Sequence, residues 1–294
     1  MTRYIDQYRD RFGVEPICRG LQIAPSSYYA AKRRQPPARA VSDAELAPKV
    51  LRAWKDNYQV YGARKLWKQL RREGETVGRD RVARLMRTLG IAGAVRGAQR
   101  RTTIADPTAV RAPDLVKRQF TATRPNQLWV SDFTSVATWS GTVYVAFVID
   151  VFSRLIVGWR SAASMRTELV LDALEMAIWR RASVLDGLVC HSDAGSQYTS
   201  LRYTTRLAEI GAAPSVGSVG DSYDNSLAES TIGLYKTELI RRHGPWRTLD
   251  ELELATLGYI DWFNHRRLHG EIGDIPPAEL EATYYRQPEA TTAA

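Results

Sequence analysis

Three carboxylates stand at positions where a sheet-based active site needs them. Asp132 lies inside the strand-like run LWVSDFTSVAT, Asp193 follows the short apolar run LVCHS, and Glu229 lies in the helical segment DNSLAESTIGLYKTELI. Open sheets place their chemistry at strand ends, although an Asp before Ala and Gly also often caps a turn. Brought together, such carboxylates could hold two Mg²⁺ ions roughly 4 Å apart, on the attacking and leaving oxygens of a phosphodiester.

The elements that position these carboxylates follow from the spacing of apolar residues. Three strand-like segments, LWVSDFTSVAT, TVYVAFVIDVFSR and LIVGWRSA, precede the helical segment TELVLDALEMAIWRRA. A short strand, a helix, another short strand and the helix of Glu229 follow, and Asp224 or Asn225 can cap that last helix. The order β-β-β-α-β-α-β-α predicts an α/β fold in which a mixed sheet is flanked by helices.

The net charge of +9 conceals a division of the chain into a basic and an acidic part. Residues 1–118 contain 26 Lys and Arg against 11 Asp and Glu, a net charge of +15, and the remaining residues carry −6. The basic part predicts a polyanionic partner. Its Lys and Arg residues are spread over several short helical patterns, which favours nucleic acid over lipid as that partner. The acidic part would repel DNA unless metal ions neutralise some carboxylates.

The basic part contains a helix-turn-helix pattern in GARKLWKQLRREGETVGRDRVARLMRTLG. Leu66 and Leu70 mark one helix, Gly74 ends it, and an apolar stripe at Val82, Leu85, Met86 and Leu89 marks the next. Arg84 and Arg87 point away from that stripe, as DNA-binding residues of a recognition helix would, although a solvated basic face gives the same pattern. A weaker copy of the pattern runs from Ile5 to Arg34.

These patterns predict five regions. They are a helix-turn-helix-like segment at 1–43, a helix-turn-helix DNA-binding domain at 44–95, a basic linker at 96–119, a catalytic domain at 120–284 and a tail at 285–294. The chain has no apolar run of the roughly 18 residues that a membrane span needs, and its N-terminus lacks a signal peptide's apolar centre. We therefore expect a protein of the cytoplasm. Its two cysteines lie far apart without metal-ligand spacing, which disfavours a disulfide framework and a structural zinc site.

Further polar residues are candidates for DNA contacts. Lys236 lies seven residues after Glu229, two helical turns along the same face, where it could bind a phosphate beside the metals. A cluster follows the segment TLGYIDWF and consists of Asn264, Arg266, Arg267 and His269. This cluster suits contacts with DNA ends and equally suits a hydrogen-bond network at a helix end.

The motifs WVSDFT, HSDAGSQY, YDNSLAES and IDWFNHRRLHGEIGDIPPAEL, with 35 residues between Asp193 and Glu229, resemble the transposase and retroviral integrase superfamily. That superfamily has a DDE active site on an RNase H-like fold. With FGVEPICRGLQIAPSSYY and YGARKLWKQLRREG included, the chain more closely resembles the second-frame (OrfB) transposases of the third bacterial insertion-sequence family. The order and spacing of these motifs make the resemblance specific, and it covers nearly the whole chain.

The resemblance implies a Mg²⁺-dependent DDE transposase that cleaves DNA at the ends of an insertion sequence and catalyses strand transfer. Asp132, Asp193 and Glu229 would be its catalytic residues and the ligands of two Mg²⁺ ions, with Mn²⁺ as a substitute. Its partners would be DNA (terminal inverted repeats and target DNA), further copies of itself on that DNA, and an upstream-frame (OrfA) product in a fusion or complex, with no membrane partner. It would associate with the bacterial nucleoid when bound to DNA.

Two other classes of protein are compatible with parts of the sequence. An RNase H-like structure-selective DNA nuclease would use similar carboxylates but would not need two upstream DNA-binding units. A DNA-binding regulator without catalysis would account for the N-terminal part and leave the spaced carboxylates without a function.

The charge of residues 1–118 predicts a strong salt dependence of DNA binding. Each phosphate neutralised by Lys or Arg contributes about −0.9 to the slope of log affinity against log salt. We expect a steep slope for the full chain, measured by fluorescence anisotropy over a salt series. A slope near zero would show that the basic part does not bind the DNA backbone.

Overall fold

The computed structural model describes residues 1–96, 112–116, 119–181, 185–217 and 225–286. Most of the expected linker, the end of the expected tail and the candidate cap Asp224 lie outside the described residues. The chain divides into two units, Met1–Val50 and Leu51–Ala294.

The first unit is helical. Its elements are α1 (Thr2–Phe12), α2 (Val14–Gly20), α3 (Pro25–Arg33) and most of α4 (Ala38–Asp56). Ile5, Cys18 and Tyr28 form a small core, and the Tyr28 hydroxyl donates a hydrogen bond of 2.8 Å to Asp6. Proline is tolerated in the first turn of a helix, and Pro25 begins α3 at the predicted break.

The second unit begins with the end of α4 and a helix-turn-helix formed by α5 (Ala63–Arg72) and α6 (Arg79–Thr88). The apolar residues predicted to share a face are buried, namely Leu66, Leu70, Val82, Leu85 and Met86. Gly74 follows α5 with a φ of 88°, a left-handed conformation that glycine adopts without a steric penalty. The predicted pair of helices is confirmed.

The sheet of the second unit has five strands. They are β1 (Leu128–Thr138), β2 (Gly141–Asp150), β3 (Ile156–Ala162), β4 (Val189–Ser192) and β5 (Ala213–Val216). Their order in the sheet is β3-β2-β1-β4-β5. The first three strands are antiparallel, whereas β4 runs parallel to both β1 and β5. The predicted mixed sheet, with its antiparallel start, is confirmed.

Helices cover this sheet and extend beyond it. They are α7 (Thr167–Arg181), α8 (Leu201–Glu209), α9 (Ser226–Tyr235), α10 (Arg241–His243), α11 (Leu249–His265) and α12 (Pro277–Arg286). A π-helical turn, Lys236–Ile240, joins α9 to α10. The core between α7 and the sheet contains Trp129, Val157 and Leu174. Within the described ranges, no helix is long and apolar enough to cross a membrane.

The helix-turn-helix is joined to the C-terminal part of the same unit by buried hydrogen bonds. The Tyr61 hydroxyl accepts a bond of 2.7 Å from the backbone N–H of Leu268. The Asn57 side chain accepts a bond of 3.1 Å from the indole N–H of Trp262. These bonds connect residues more than 200 positions apart, so these two segments fold against one another.

Gly158 of β3 lies against α7 and leaves no room for a side chain. A Cβ at this position would come within 2.1 Å of the Ala173 carbonyl oxygen. We expect Gly158→Ala to lower the free energy of unfolding by about 3 kcal/mol, because the strand and helix must move apart. At Gly258 of α11 the nearest atom, the Tyr58 hydroxyl, would be 3.4 Å from a Cβ, so Gly258→Ala is the matched control. Equal denaturation midpoints for the two variants would contradict this packing.

Candidate active site

Asp132 and Asp193 are brought side by side by the parallel pairing of β1 and β4. The last residue pair of that ladder is Ser131 with Ser192, and each aspartate directly follows its member of the pair. Asp132 continues along β1, where it pairs with Phe147 of β2, whereas β4 ends before Asp193. The two carboxylates therefore occupy equivalent positions at the same end of the β1–β4 ladder.

Both aspartates are fixed by backbone N–H groups. Asp132 Oδ1 accepts a bond of 2.8 Å from Phe133, and Asp193 Oδ1 accepts one of 3.1 Å from Gly195. A Cβ at Gly195 would lie 3.0 Å from the same Asp193 oxygen, so the glycine permits this close approach. The sequence Asp-Ala-Gly thus forms a turn, as the alternative interpretation predicted, and the turn also holds the carboxylate in place.

Asn225 brings Glu229 to the same place. It precedes α9 at the N-cap position but makes no capping bond with its side chain. Instead its Nδ2 donates a bond of 3.0 Å to the carbonyl of Ser131, the residue before Asp132. Since Glu229 lies one turn after Asn225, this bond anchors the start of the helix beside β1. The sequence suggested that Asn225 could cap the helix, and it gave no sign of this hydrogen bond to β1.

The charges of Asp193 and Glu229 both act on Asp132. Burial raises the pKa of Asp132 well above its ordinary value, and the charges of Asp193 and Glu229 raise it further. The Phe133 N–H and the Lys236 ammonium oppose these effects. Burial also raises the pKa of Asp193, against the opposing influence of the Gly195 N–H and His191. Lys236 is half-buried, and its pKa is lowered by burial while the charge of Asp132 raises it.

The side chains at this site offer carboxylate oxygens as metal ligands, and such ligands suit Mg²⁺ better than a softer metal. Across the described part of the chain, no three His, Cys, Asp or Glu side chains stand close enough together to hold a metal ion as they are. Asp132 and Asp193 with Glu229 are the residues whose charges meet here.

Comparisons with known proteins identify the family of this chain. The integrase core domain family matches residues 122–222 and a second integrase core model matches 210–277, while an HTH-like domain matches 42–99. A putative transposase for the insertion sequence element IS986/IS6110 of Mycobacterium tuberculosis is 55% identical over 271 residues, which cover 91% of this chain and 98% of that protein. The transposase for IS629 of Shigella sonnei is 53% identical over 290 residues, 97% of each.

The chain belongs to the insertion-sequence transposases.

Among solved structures, the transposase is similar to the HTLV-2 integrase catalytic core domain in complex with magnesium. That match has a TM-score of 0.44 and 16% identity over 55% of this chain and 99% of the other. A simian T-cell lymphotropic virus intasome gives a TM-score of 0.47 and 14% identity over 80% of this chain and 74% of the other. Because both TM-scores are below 0.5, we assign the RNase H-like fold from the strand order of the sheet and from the family matches. The family makes the protein a DNA-binding polynucleotidyl transferase and sets aside a regulator without catalysis.

The predicted DNA contacts of the transposase divide into exposed and enclosed residues. Arg87 of α6 and Arg266 are exposed, Arg84 of α6 is partly exposed, and Arg266 lies 3.6 Å from Asp261. Asn264, Arg267 and His269 are enclosed, with 1%, 3% and 8% of their surfaces exposed. The structure offers these three side chains no path to DNA, and the helix-end network is the arrangement it shows.

The enclosed residues hold residues 264–269, at the end of α11 and just after it, against the sheet and the π-helical turn. Asn264 makes two bonds with the backbone of Ile156 on β3, of 2.9 and 3.0 Å. Arg267 forms a salt bridge of 2.7 Å with Glu238, which also accepts a bond of 3.0 Å from the Tyr259 hydroxyl. Burial, with the Arg267 charge as the second cause, lowers the pKa of His269 to about 2. Glu238 was not predicted, because its partner lies 29 residues away.

Arg266 and Arg267, which are neighbours in the sequence, provide a test of the division into exposed and enclosed residues. Arg267→Ala leaves the Glu238 charge buried without its partner, so we expect the free energy of unfolding to fall by about 3–5 kcal/mol. Arg266→Ala removes the same charge from an exposed site and should change it by less than about 0.5 kcal/mol. Chemical denaturation of both variants measures the difference. Similar small losses would show that the Arg267 pair does not stabilise the fold.

Proposed function

We propose that this transposase holds two Mg²⁺ ions on Asp132, Asp193 and Glu229, and cleaves and joins DNA strands at the ends of its insertion sequence. The observation that supports the proposal is the β1–β4 ladder, because Asp132 and Asp193 each directly follow its last residue pair. Glu229 belongs to a helix tied to β1 by Asn225, and its charge acts on Asp132. Each carboxylate reaches the site from a different element.

A buried hydroxyl supports the fit of a metal to this site. Tyr198 is 3% exposed, and its hydroxyl has no hydrogen-bond partner among the described residues. Burial raises its pKa well above the ordinary value, and the charges of Asp132, Tyr203 and Asp193 add to that effect. An unpartnered buried hydroxyl costs about 1–3 kcal/mol, so the site has a donor available for a ligand or for water carried by an ion.

The side chains present suit a reaction in which the protein supplies no nucleophile. Burial raises the pKa of Cys190 and of Tyr198, so neither side chain is readily ionised for attack. We propose water as the nucleophile for cleavage, which leaves a 3′-hydroxyl, and that hydroxyl as the nucleophile for strand transfer. When bound, Mg²⁺ would supply Lewis-acid activation of the attacking oxygen and stabilisation of the leaving oxygen.

The remaining residues bind and orient the DNA. Lys236 lies within electrostatic reach of Asp132, where its ammonium would bind a non-bridging phosphate oxygen near the reacting bond. Arg84 and Arg87 on α6, together with Arg266, would bind the terminal inverted repeats and the adjoining backbone.

Several partners belong to this proposal. Holding two element ends and one target together favours a homo-oligomer assembled on DNA. We further propose that an upstream-frame (OrfA) product, fused or bound, adds specificity for the terminal repeats, that Mn²⁺ substitutes for Mg²⁺, and that the complex works at the nucleoid in the cytoplasm.

Glu229→Gln tests the assignment of the third carboxylate. The variant keeps the side chain's shape but replaces a charged ligand with a neutral amide, so cleavage of an end substrate should fall by at least about a hundredfold. DNA binding should persist in anisotropy measurements. Glu253→Gln on α11 makes the same chemical change where the side chain accepts a bond from Ser161, and it should cleave normally. Wild-type cleavage by Glu229→Gln would rule out this role.

A further inference from the structure

At Gly233, in the last turn of α9, an arginine side chain from another segment fills the space that a side chain at this position would occupy. A Cβ built on Gly233 would lie 2.3 Å from Nη2 of Arg96, 2.7 Å from its Cζ and 2.9 Å from its Nε. All three distances are shorter than real contacts, so the guanidinium rests against the helix backbone where any other residue would carry its side chain. Glycine inside a helix is about 1 kcal/mol less favourable than alanine, and this contact gives it a structural reason.

The position of Gly233 places this guanidinium next to the proposed active site. Gly233 lies four residues after Glu229 and three before Lys236, so the three share one helix face. Lys236 begins the π-helical turn, and its pKa responds to the charge of Asp132. Along this face a carboxylate, the Arg96 guanidinium and an ammonium therefore follow one another.

The two cations on this face have capacity for an anion. Arg96 is exposed at the helix surface, and Lys236 is half-buried. Neither side chain forms a salt bridge with a carboxylate in the part of the chain that the structure describes. A guanidinium and an ammonium on the same helix face suit a phosphate, since the fork of arginine donors matches two phosphate oxygens and lysine adds a point charge.

We propose that Arg96, seated on Gly233, forms with Lys236 a two-cation site for a DNA backbone phosphate beside the reacting bond. The inference rests on the proposed function, because it takes Glu229 on the same helix face as one of the catalytic residues. It adds Arg96 as a DNA-binding residue and Gly233 as the residue that positions it. Arg96 lies after α6, the second helix of the helix-turn-helix, so the segment that follows this helix contributes to the active site.

The test uses the full chain with four changes: Arg96→Ala, Gly233→Ala, both together, and Arg160→Ala on the distant edge strand β3 as a charge-matched control. Binding is measured in an Asp132→Asn background, which prevents cleavage, with a labelled duplex carrying the DNA that flanks the gene. Cleavage of the same duplex is measured with the wild-type carboxylates. A salt series gives the number of phosphates contacted.

Arg96→Ala should weaken binding about tenfold and lower the magnitude of the salt slope by about 0.9. Gly233→Ala should cause a similar loss although it removes no charge, because its methyl group displaces the guanidinium. The double variant should bind like Arg96→Ala alone, and Arg160→Ala should stay within about twofold of the wild type.

Three results would overturn the inference: normal binding by Arg96→Ala, normal binding by Gly233→Ala, or losses that multiply in the double variant. Thermal melting separates displacement of Arg96 from damage to the helix. Gly233→Ala should raise the melting temperature more in the Arg96→Ala background than in the wild type, since alanine favours a helix once the guanidinium is gone. Normal cleavage by Asp132→Asn would instead contradict the proposed function and leave the binding results to be judged separately.

Discussion

The structure depends on placing two carboxylates next to each other in a partly buried position. The parallel pairing of β1 with β4 does this, since the ladder ends at Ser131 and Ser192 and an aspartate follows each. Burial and the neighbouring charges raise the pKa of Asp132, so the ionised form opposes folding. The Phe133 N–H and the Lys236 ammonium reduce this penalty, and the Gly195 N–H does the same for Asp193. A divalent ion would remove much of it, which links stability to the proposed metal.

Residues 264–268 hold the helix of Glu229 in place through the π-helical turn that follows it. Glu238 in the π-helical turn is bound by Arg267 and Tyr259, and Asn264 is bonded to β3. The Leu268 backbone is in turn bonded to Tyr61, which precedes α5 of the helix-turn-helix. One polar network therefore connects the residues after Lys236 with the DNA-binding helices. Such a network fixes the helix more rigidly than apolar contacts alone would.

Local pattern predicted much of the fold and of the site. Alternation and apolar runs predicted each strand, and the stripe from Val82 to Leu89 predicted α6, because these signals depend on near neighbours. Asp132 was recognisable inside the first strand and Asp193 at the end of the fourth. The pairing of Asn225 with Ser131, across 94 residues, has no local signal. For Arg267 and His269 the sequence suited DNA contacts and a helix-end network equally, because Glu238, the buried partner of Arg267, can be assigned only in the fold.

The claim that the carboxylates are held together at a cost that a metal relieves is tested most directly by thermal melting of Asp132→Asn. A carboxyl group whose pKa is raised by folding contributes stability at low pH that is lost as the pH rises through that pKa. At neutral pH without metal, the variant should therefore melt above the wild type, and the two should converge in acid. Mg²⁺ should raise the wild-type melting temperature and leave the variant nearly unchanged. If Asp132→Asn melts below the wild type without metal, or if Mg²⁺ raises both proteins equally, the account is contradicted.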